Sequence, residues 1–515
     1  MPTRRAMLIS ALAAAAIRPG AAQAGKQAAP GAAAPMVLRL VRRSIEVNGK
    51  PASVYGIRQP DGASGIITKI GDRFRVRVEN HIGKPSLIHW HGLAPPWRQD
   101  GVPGISGPPI PPGGTADYDF PLAFGGTFWM HSHQGFQEQL LMSAPLIIRD
   151  QRDKPGRQEI VLMLEDFSFT PPEEIFANLK KGGSMPGMAR AATTPSVPGM
   201  ATAGSPGTTG GARATPASMN GTGGMNGVAG TNGMGGMAQA GSAGAPDLND
   251  VTYDAFLANG RTLADPEIVT VEPGAEVLLR VINASAMSSY HFDLGRLDGS
   301  LIAVDGSLVQ PVAGRRFPIN VAQRLDIVLT IPRGEAAAYP LLATIEGERN
   351  RTGIVLAAGN APISRVSPQG PMVTPAITME LESRLRALKP LAPRQPDRVH
   401  NIDLTGEMSK YIWSINGVAW NPGVPPLPIA KGERVALVMT NSTGMAHPMH
   451  LHGHRFQVVE IGGLRFPGAV RDTVRVPPAQ RVVVEFDADN PGWWAFHCHM
   501  LYHMEAGMFA TFRYV

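Results

Sequence analysis

A pattern that occurs three times constrains this chain more than any other feature. Gly71-Asp72-Arg73-Phe74-Arg75-Val76-Arg77-Val78-Glu79-Asn80 leads to His89-Trp90-His91-Gly92. Gly274-Ala275-Glu276-Val277-Leu278-Leu279-Arg280-Val281-Ile282-Asn283 leads to His291-Phe292-Asp293-Leu294-Gly295. Gly432-Glu433-Arg434-Val435-Ala436-Leu437-Val438-Met439-Thr440-Asn441 leads to His450-Leu451-His452-Gly453. Each copy is a glycine turn, a strand-forming run ending in Asn, a loop, and a second run opening with His. The Asn-to-His spacings are 9, 8 and 9 residues. Alternation such as Phe74/Val76/Val78 marks strands with one buried face. Units this long are copies of a domain rather than turns of a solenoid. They predict all-β domains over 36–150, 155–360 and 375–515, each a Greek-key sandwich or barrel. The 59 Gly and 47 Pro among 515 residues, with 17% charged, also favour strands joined by turns over a helical bundle.

Two stretches fall outside the repeats. Residues 1–24 carry Arg4-Arg5, a short apolar run and Ala22-Gln23-Ala24. This reads as a signal peptide of the twin-arginine type with an Ala-x-Ala cleavage site. The apolar run at 6–17 is too short for a spanning helix, which needs about 20 residues. The mature chain is expected outside the cytoplasm, in the periplasm, without membrane insertion. Removing Arg4, Arg5 and Arg18 brings the formal charge from +6 to +3, too small and dispersed for a nucleic-acid partner. Residues 182–246 interrupt the middle repeat. They lack His, aromatic and acidic residues but hold Met185, Met188, Met200, Met219, Met225, Met234 and Met237. Such a composition cannot bury a core, so a disordered Met/Gly-rich surface insertion is expected. A short helix is expected just before it, over 171–180.

Ten of the fourteen histidines fall in four clusters: His89-Trp90-His91; His131-Ser132-His133; His447-Pro448-Met449-His450-Leu451-His452; and His497-Cys498-His499 with His503. On a strand, residues i and i+2 face the same way, so each His-x-His aims two imidazoles together. Two pairs come from the first repeat and two from the third. If those domains face each other, eight imidazoles converge, enough for about three copper ions at two or three ligands each. Cys498, the lone cysteine, then faces the opposite side of its strand. Candidates to complete a second site there are His447, His503 and Met508. Two imidazoles, a thiolate and a weak axial thioether describe a blue-copper electron-transfer centre. The backbone joins Cys498 directly to His497 and His499, so the two centres would lie on the order of 10 Å apart. Zinc fits poorly, because structural zinc sites usually use several cysteines.

These residues resemble the multicopper oxidases over nearly the whole mature chain. The resemblance implies three cupredoxin domains and four coppers. The type 1 copper would take His447, Cys498, His503 and Met508. The type 2 copper would take His89 and His450. One type 3 copper would take His91, His131 and His499, and the other His133, His452 and His497. The middle repeat, with His291 but no second pair, looks like a domain without copper. The run from His497 to Met508 and Asp100-Gly101-Val102-Pro103-Gly104-Ile105-Ser106 look most like bacterial copper-resistance oxidases. The implied reaction takes four single electrons at the type 1 copper and passes them through Cys498 to the cluster, where O2 becomes water. Asp100 matches an acidic position near the cluster and is expected to deliver protons. Several family members have Glu directly after the last type 1 histidine. Here that position is Met504, and the neighbouring Glu505 is the candidate replacement.

The expected reductant is Cu(I), for copper tolerance, because thioethers suit that ion. Met445, Met449, Met500 and Met504 also lie near the type 1 motif in sequence. The alternatives are a laccase-like oxidase of small aromatic phenols or amines, and a copper-sequestering protein with incidental turnover. A monomer is expected.

Overall fold

The computed structural model describes residues 34–182, 248–334 and 336–515. The signal segment 1–24 and, apart from Gly182, the insertion 182–246 lie outside the described residues. Six sheets form among the described residues, two in each repeat-bearing segment. The three strands that end in Asn are Arg73–Asn80, Glu276–Asn283 and Arg434–Asn441. Each pairs in parallel with the first strand of its segment, Met36–Val47, Gln158–Phe167 or Arg398–Glu407. Each pairs antiparallel on its other side with Thr115–Pro121, Arg324–Thr330 or Arg481–Asp487. The histidine-bearing strands, Ile88–His91, Tyr290–Asp293 and His447–Leu451, lie in the opposing sheets. In the first segment, Leu38, Phe74, Val76 and Val78 from one sheet pack with Ile88, Phe128 and Leu146 from the other. Burying each such side chain is worth about 1.5–3 kcal/mol, which is what the alternating pattern supplies.

The repeated asparagine has a physical reason. In all three copies its side-chain amide donates to two backbone carbonyls. Asn80 Nδ2 reaches Lys84 O and Ile110 O, both at 2.8 Å. Asn283 Nδ2 reaches Ser288 O at 2.9 Å and Ile319 O at 3.4 Å. Asn441 Nδ2 reaches Met445 O at 2.7 Å and Val476 O at 2.9 Å. Its Oδ1 accepts from the backbone N–H two residues on, at Ile82, Ser285 or Thr443. The side chain therefore curls the loop and pins it to a neighbouring strand. This fixes where the next strand begins, and so where its histidines stand.

The segments meet through close backbone approach and paired buried charge. A Cβ on Gly126 would sit 2.5 Å from Gly306 Cα, so two glycines let the first and second segments touch. Beside them Arg152 Nη1 donates to Asp326 Oδ2 at 2.8 Å, and Arg280 Nη1 to Thr127 Oγ1 at 2.9 Å. Arg475 of the third segment reaches Glu346 and Asn320 of the second, each at 2.8 Å through Nη1. Losing one partner of such a buried pair typically costs about 3–5 kcal/mol, so these contacts fix the segments' relative placement. The helix expected over 171–180 spans Pro172–Lys180, with Ile175 and Leu179 buried one turn apart. Glu173 and Glu174 in its first turn and Lys180 in its last suit the helix dipole.

The asparagine account makes a prediction in the middle repeat. Asn283→Ala leaves two buried carbonyls without their donor, which should cost about 2–3 kcal/mol. The expected result is a lower urea midpoint with copper content unchanged. An unchanged midpoint would contradict the account.

Candidate metal centres

The four His-x-His pairs converge, as their spacing suggests. His89 faces His131 across one strand pair, and His450 faces His497 across another. The two segments then stack imidazoles on each other. His89 and His452 have ring centroids 3.8 Å apart, and so do His91 and His450. All eight rings are buried. Nitrogen atoms of His133, His452 and His497 lie within 4.8 Å of one another, as do those of His89, His450 and His452 and of His89, His91 and His131. His452 Nε2 faces His497 Nε2 at 3.0 Å, and His450 Nε2 faces His89 Nε2 at 3.5 Å. Such separations suit two ligands that each sit about 2 Å from a shared ion.

The outward nitrogens are tied down. His91 Nε2 lies 3.0 Å from Asp472 Oδ1, His450 Nδ1 donates to Asp472 O at 2.8 Å, and His89 Nδ1 donates to Asp100 O at 2.8 Å. His452 Nδ1 lies 2.8 Å from Asp100 Oδ2, and His497 Nδ1 donates to Cys498 O at 2.9 Å. His131 Nδ1 lies 2.7 Å from Glu138 Oε2. These contacts select which nitrogen is left for a metal. The nitrogens left over, among them His91 Nδ1, His131 Nε2, His133 Nε2 and His499 Nε2, are buried without a hydrogen-bond partner among the described residues. A buried polar atom without a partner is costly, and a metal ion would satisfy these. Burial, reinforced by neighbouring imidazoles, holds His91, His131, His133, His450, His452 and His499 well below the ordinary imidazole range. Burial brings His497 down to about 4, against its hydrogen bond to the Cys498 carbonyl. The rings are therefore neutral, the form that binds metal.

On the other face of its strand, Cys498 Sγ lies 3.6 Å from His447 Nδ1 and 3.7 Å from His503 Nδ1, which are themselves 3.2 Å apart. Met508 is buried with them, and its backbone is bonded to both Cys498 and His503. The far nitrogens are again held: His447 Nε2 by Thr443 Oγ1 at 2.7 Å, and His503 Nε2 by Asp250 Oδ2 at 2.7 Å. Burial pushes the Cys498 thiol up. Two imidazoles and a soft sulfur donor in a closed apolar setting fit copper.

Three carboxylates at these centres carry no motif in the sequence. Asp472 sits in the run Arg471-Asp472-Thr473, Glu138 five residues past His133, and Asp250 just past the methionine-rich stretch. All three are buried. Asp472 also accepts 2.8 Å from Arg324 Nη1, so the second segment supports the cluster through it. Burial, with Asp166 nearby, pushes Glu138 well above the usual carboxylate range. Asp100 lies between His89 and His452 rather than capping the glycine turn after it, where Ser106 Oγ accepts the Gly101 and Val102 N–H groups instead. Glu505 is exposed at the end of the helix Leu501–Glu505 that carries His503. His291 lies away from both centres in use: it is half-exposed and donates to Pro375 O at 2.9 Å. Met445, Met449 and Met500 are buried in the core.

Models of the multicopper oxidase family match residues 42–153, 212–360 and 393–515. The multicopper oxidase MmcO of Mycobacterium tuberculosis is 30% identical over 459 residues, covering 87% of this chain and 80% of its own. Copper resistance protein A of Pseudomonas syringae pv. tomato is 26% identical, covering 99% of each chain. Among solved structures, the laccase from Botrytis aclada aligns with a TM-score of 0.70 at 20% identity, covering 93% of this chain and 88% of its own. The multicopper oxidase from Pseudomonas thermotolerans aligns at 0.63 and 22% identity, covering 93% and 98%. These two likenesses support the three-sandwich, cupredoxin-like fold. With its converging imidazoles and its Cys498 site, the chain belongs to the multicopper oxidases, oxidoreductases that use O2 and carry four coppers of types 1, 2 and 3.

Proposed function

We propose that this chain is an exported oxidase whose reductant is Cu(I), in the balance 4 Cu(I) + O2 + 4 H+ → 4 Cu(II) + 2 H2O. The basic start and Ala-x-Ala of residues 1–24 support export to the periplasm by the twin-arginine route. In this reading His447, Cys498, His503 and Met508 hold the type 1 copper, and His89 and His450 the type 2 copper. His91, His131 and His499 hold one type 3 copper, and His133, His452 and His497 the other.

The observation that carries the Cu(I) reading is where the methionine-rich stretch joins the described fold. It leaves after the helix Pro172–Lys180, whose Phe176 stacks on Tyr502, the neighbour of His503. A Cβ on Gly182 would sit 3.2 Å from Ser409 O. The described chain resumes at Leu248, and two residues on Asp250 Oδ2 lies 2.7 Å from His503 Nε2 and accepts from Tyr411 O–H at 2.6 Å. The helix before this stretch of seven thioethers, through Phe176, and Asp250 after it thus both lie beside His503 or its neighbour Tyr502. Met445, Met449 and Met500 are core residues, so they offer a substrate no accessible sulfur. Met504, half-buried, and Met408, exposed beside Ser409, are the accessible thioethers at this rim.

Bound copper supplies one-electron redox chemistry and the reduction of O2. The protein's own residues arrange the rest. Asp250 places a carboxylate against the outer edge of the His503 ring, where it orients that ring. Cys498 joins His497 and His499 by one backbone step each way, a covalent path between the two centres. Asp100 Oδ2, bonded to His452 Nδ1, is the proposed station for protons entering the cluster. Glu505, exposed on the His503 helix, is the acid proposed to exchange protons with solvent.

Two measurements test this reading. O2 uptake by the copper-loaded protein should be faster with chelate-buffered Cu(I) than with a simple phenol, and deleting 183–247 should lower the Cu(I) rate alone. A dominant phenol rate that ignores the deletion would make this a laccase-like enzyme. Binding of more than four coppers without O2 uptake would make it a sequestering protein. Asp100→Asn should slow turnover by about 100-fold with copper content intact, the scale of a lost proton-transfer group. Unchanged turnover across pH would remove Asp100 from proton delivery.

A further inference from the structure

The two proposed type 3 sites differ in what stands behind their ligands. At the site of His91, His131 and His499, carboxylates hold two of the rings and approach the third. Asp472 Oδ1 is 3.0 Å from His91 Nε2, and Glu138 Oε2 is 2.7 Å from His131 Nδ1. The other Glu138 oxygen, Oε1, is 3.8 Å from His499 Nδ1. Neither of those two atoms has a hydrogen-bond partner among the described residues, so the Glu138 carboxylate faces His499 across a short unbridged gap. At the site of His133, His452 and His497, Asp100 backs His452, whereas His497 is backed by the neutral Cys498 carbonyl. Glu138 makes most of this difference, since it addresses two rings of one site, one from each segment.

Loop packing fixes Glu138 in place. Gln137 Oε1 accepts from Ser86 Oγ at 2.7 Å and Ser132 Oγ at 2.8 Å, and its Nε2 donates to Pro85 O at 2.8 Å. Gln139 is held by Tyr253 O–H at 2.7 Å. Glu138, between them, is 4% exposed, so its carboxyl has nowhere to turn but the two imidazoles. The 2.7 Å contact commits His131 Nδ1 and leaves Nε2 for the metal, whichever atom holds the shared proton. A carboxylate behind a ligating imidazole orients the ring and strengthens it as a donor, and removing such a partner typically costs about 10–100-fold in metal affinity.

We infer that Glu138 is a positioning residue that makes the type 3 pair unequal, so that the copper held by His91, His131 and His499 is retained after its partner leaves. This rests on the ligand assignment proposed above but not on the identity of the reductant.

The test is graded copper removal from the loaded full-length protein by a Cu(I) chelator under mild reduction, followed by reoxidation. Copper per chain, the near-ultraviolet absorption of the coupled pair and the electron paramagnetic resonance signal are followed together. Wild type should pass through a state with one type 3 copper left, visible by resonance because its coupled partner is gone. Glu138→Gln keeps the shape of the side chain and should lose that copper at about 10–100-fold lower chelator concentration, which removes the intermediate. The blue type 1 absorption, on the far side of the Cys498 strand, should persist and report an intact fold. If Glu138→Gln keeps the intermediate at wild-type chelator concentrations, the inference fails while the ligand assignment stands. If wild type itself shows no such intermediate, the inference fails whether or not the variant folds. If wild type shows no coupled pair at all, the ligand assignment fails, and this inference with it.

Discussion

The molecule depends on holding uncharged imidazoles together across one interface. Eight buried rings meet between the first and third segments. Charged, they would repel at short range in a medium that screens poorly. Burial keeps His91, His131, His133, His450, His452, His497 and His499 neutral, and neutral rings with free inward nitrogens are what a metal cluster requires. The surrounding architecture serves this meeting. The repeated asparagine sets the start of each histidine strand. Pairing across the sheets sets His89 against His131 and His450 against His497. Buried ion pairs with the second segment, Arg324 to Asp472 above all, keep the first and third segments in register.

The middle segment illustrates the division of labour. It repeats the asparagine's pattern of bonds, yet its lone His291 bonds a backbone carbonyl at the edge of the fold. Its contribution is structural and electrostatic. Asp250 approaches the Cys498 site, Arg324 approaches the cluster, and Asp326 anchors the first segment through Thr127. The middle segment thus bears on how both histidine clusters sit.

Much of this is legible in the sequence, and the reason is periodicity. The period of two makes His-x-His a statement about direction, so convergence and the reversed face of Cys498 can be read from spacing. The strand alternation of Phe74, Val76 and Val78 is met residue for residue by burial. What escapes notice is chosen by tertiary contact. Asp472, Glu138 and Asp250 follow no period, because each is brought to its histidine by a loop. The methionines show the converse. Met445, Met449, Met500 and Met504 all lie near the type 1 motif in sequence, but the first three point into the core, while Met408, distant in sequence, reaches the rim. For an unbranched apolar side chain, sequence position does not distinguish packing from exposure.

The central claim is that the first and third segments build one copper cluster and that Cys498 organises a separate centre across its strand. Diffraction from copper-loaded crystals, measured on both sides of the copper absorption edge, tests it most directly. The account predicts four anomalous peaks: three among the eight imidazoles and one between Cys498, His447 and His503. Copper confined to the Cys498 site, or bound away from the paired histidines, would contradict it.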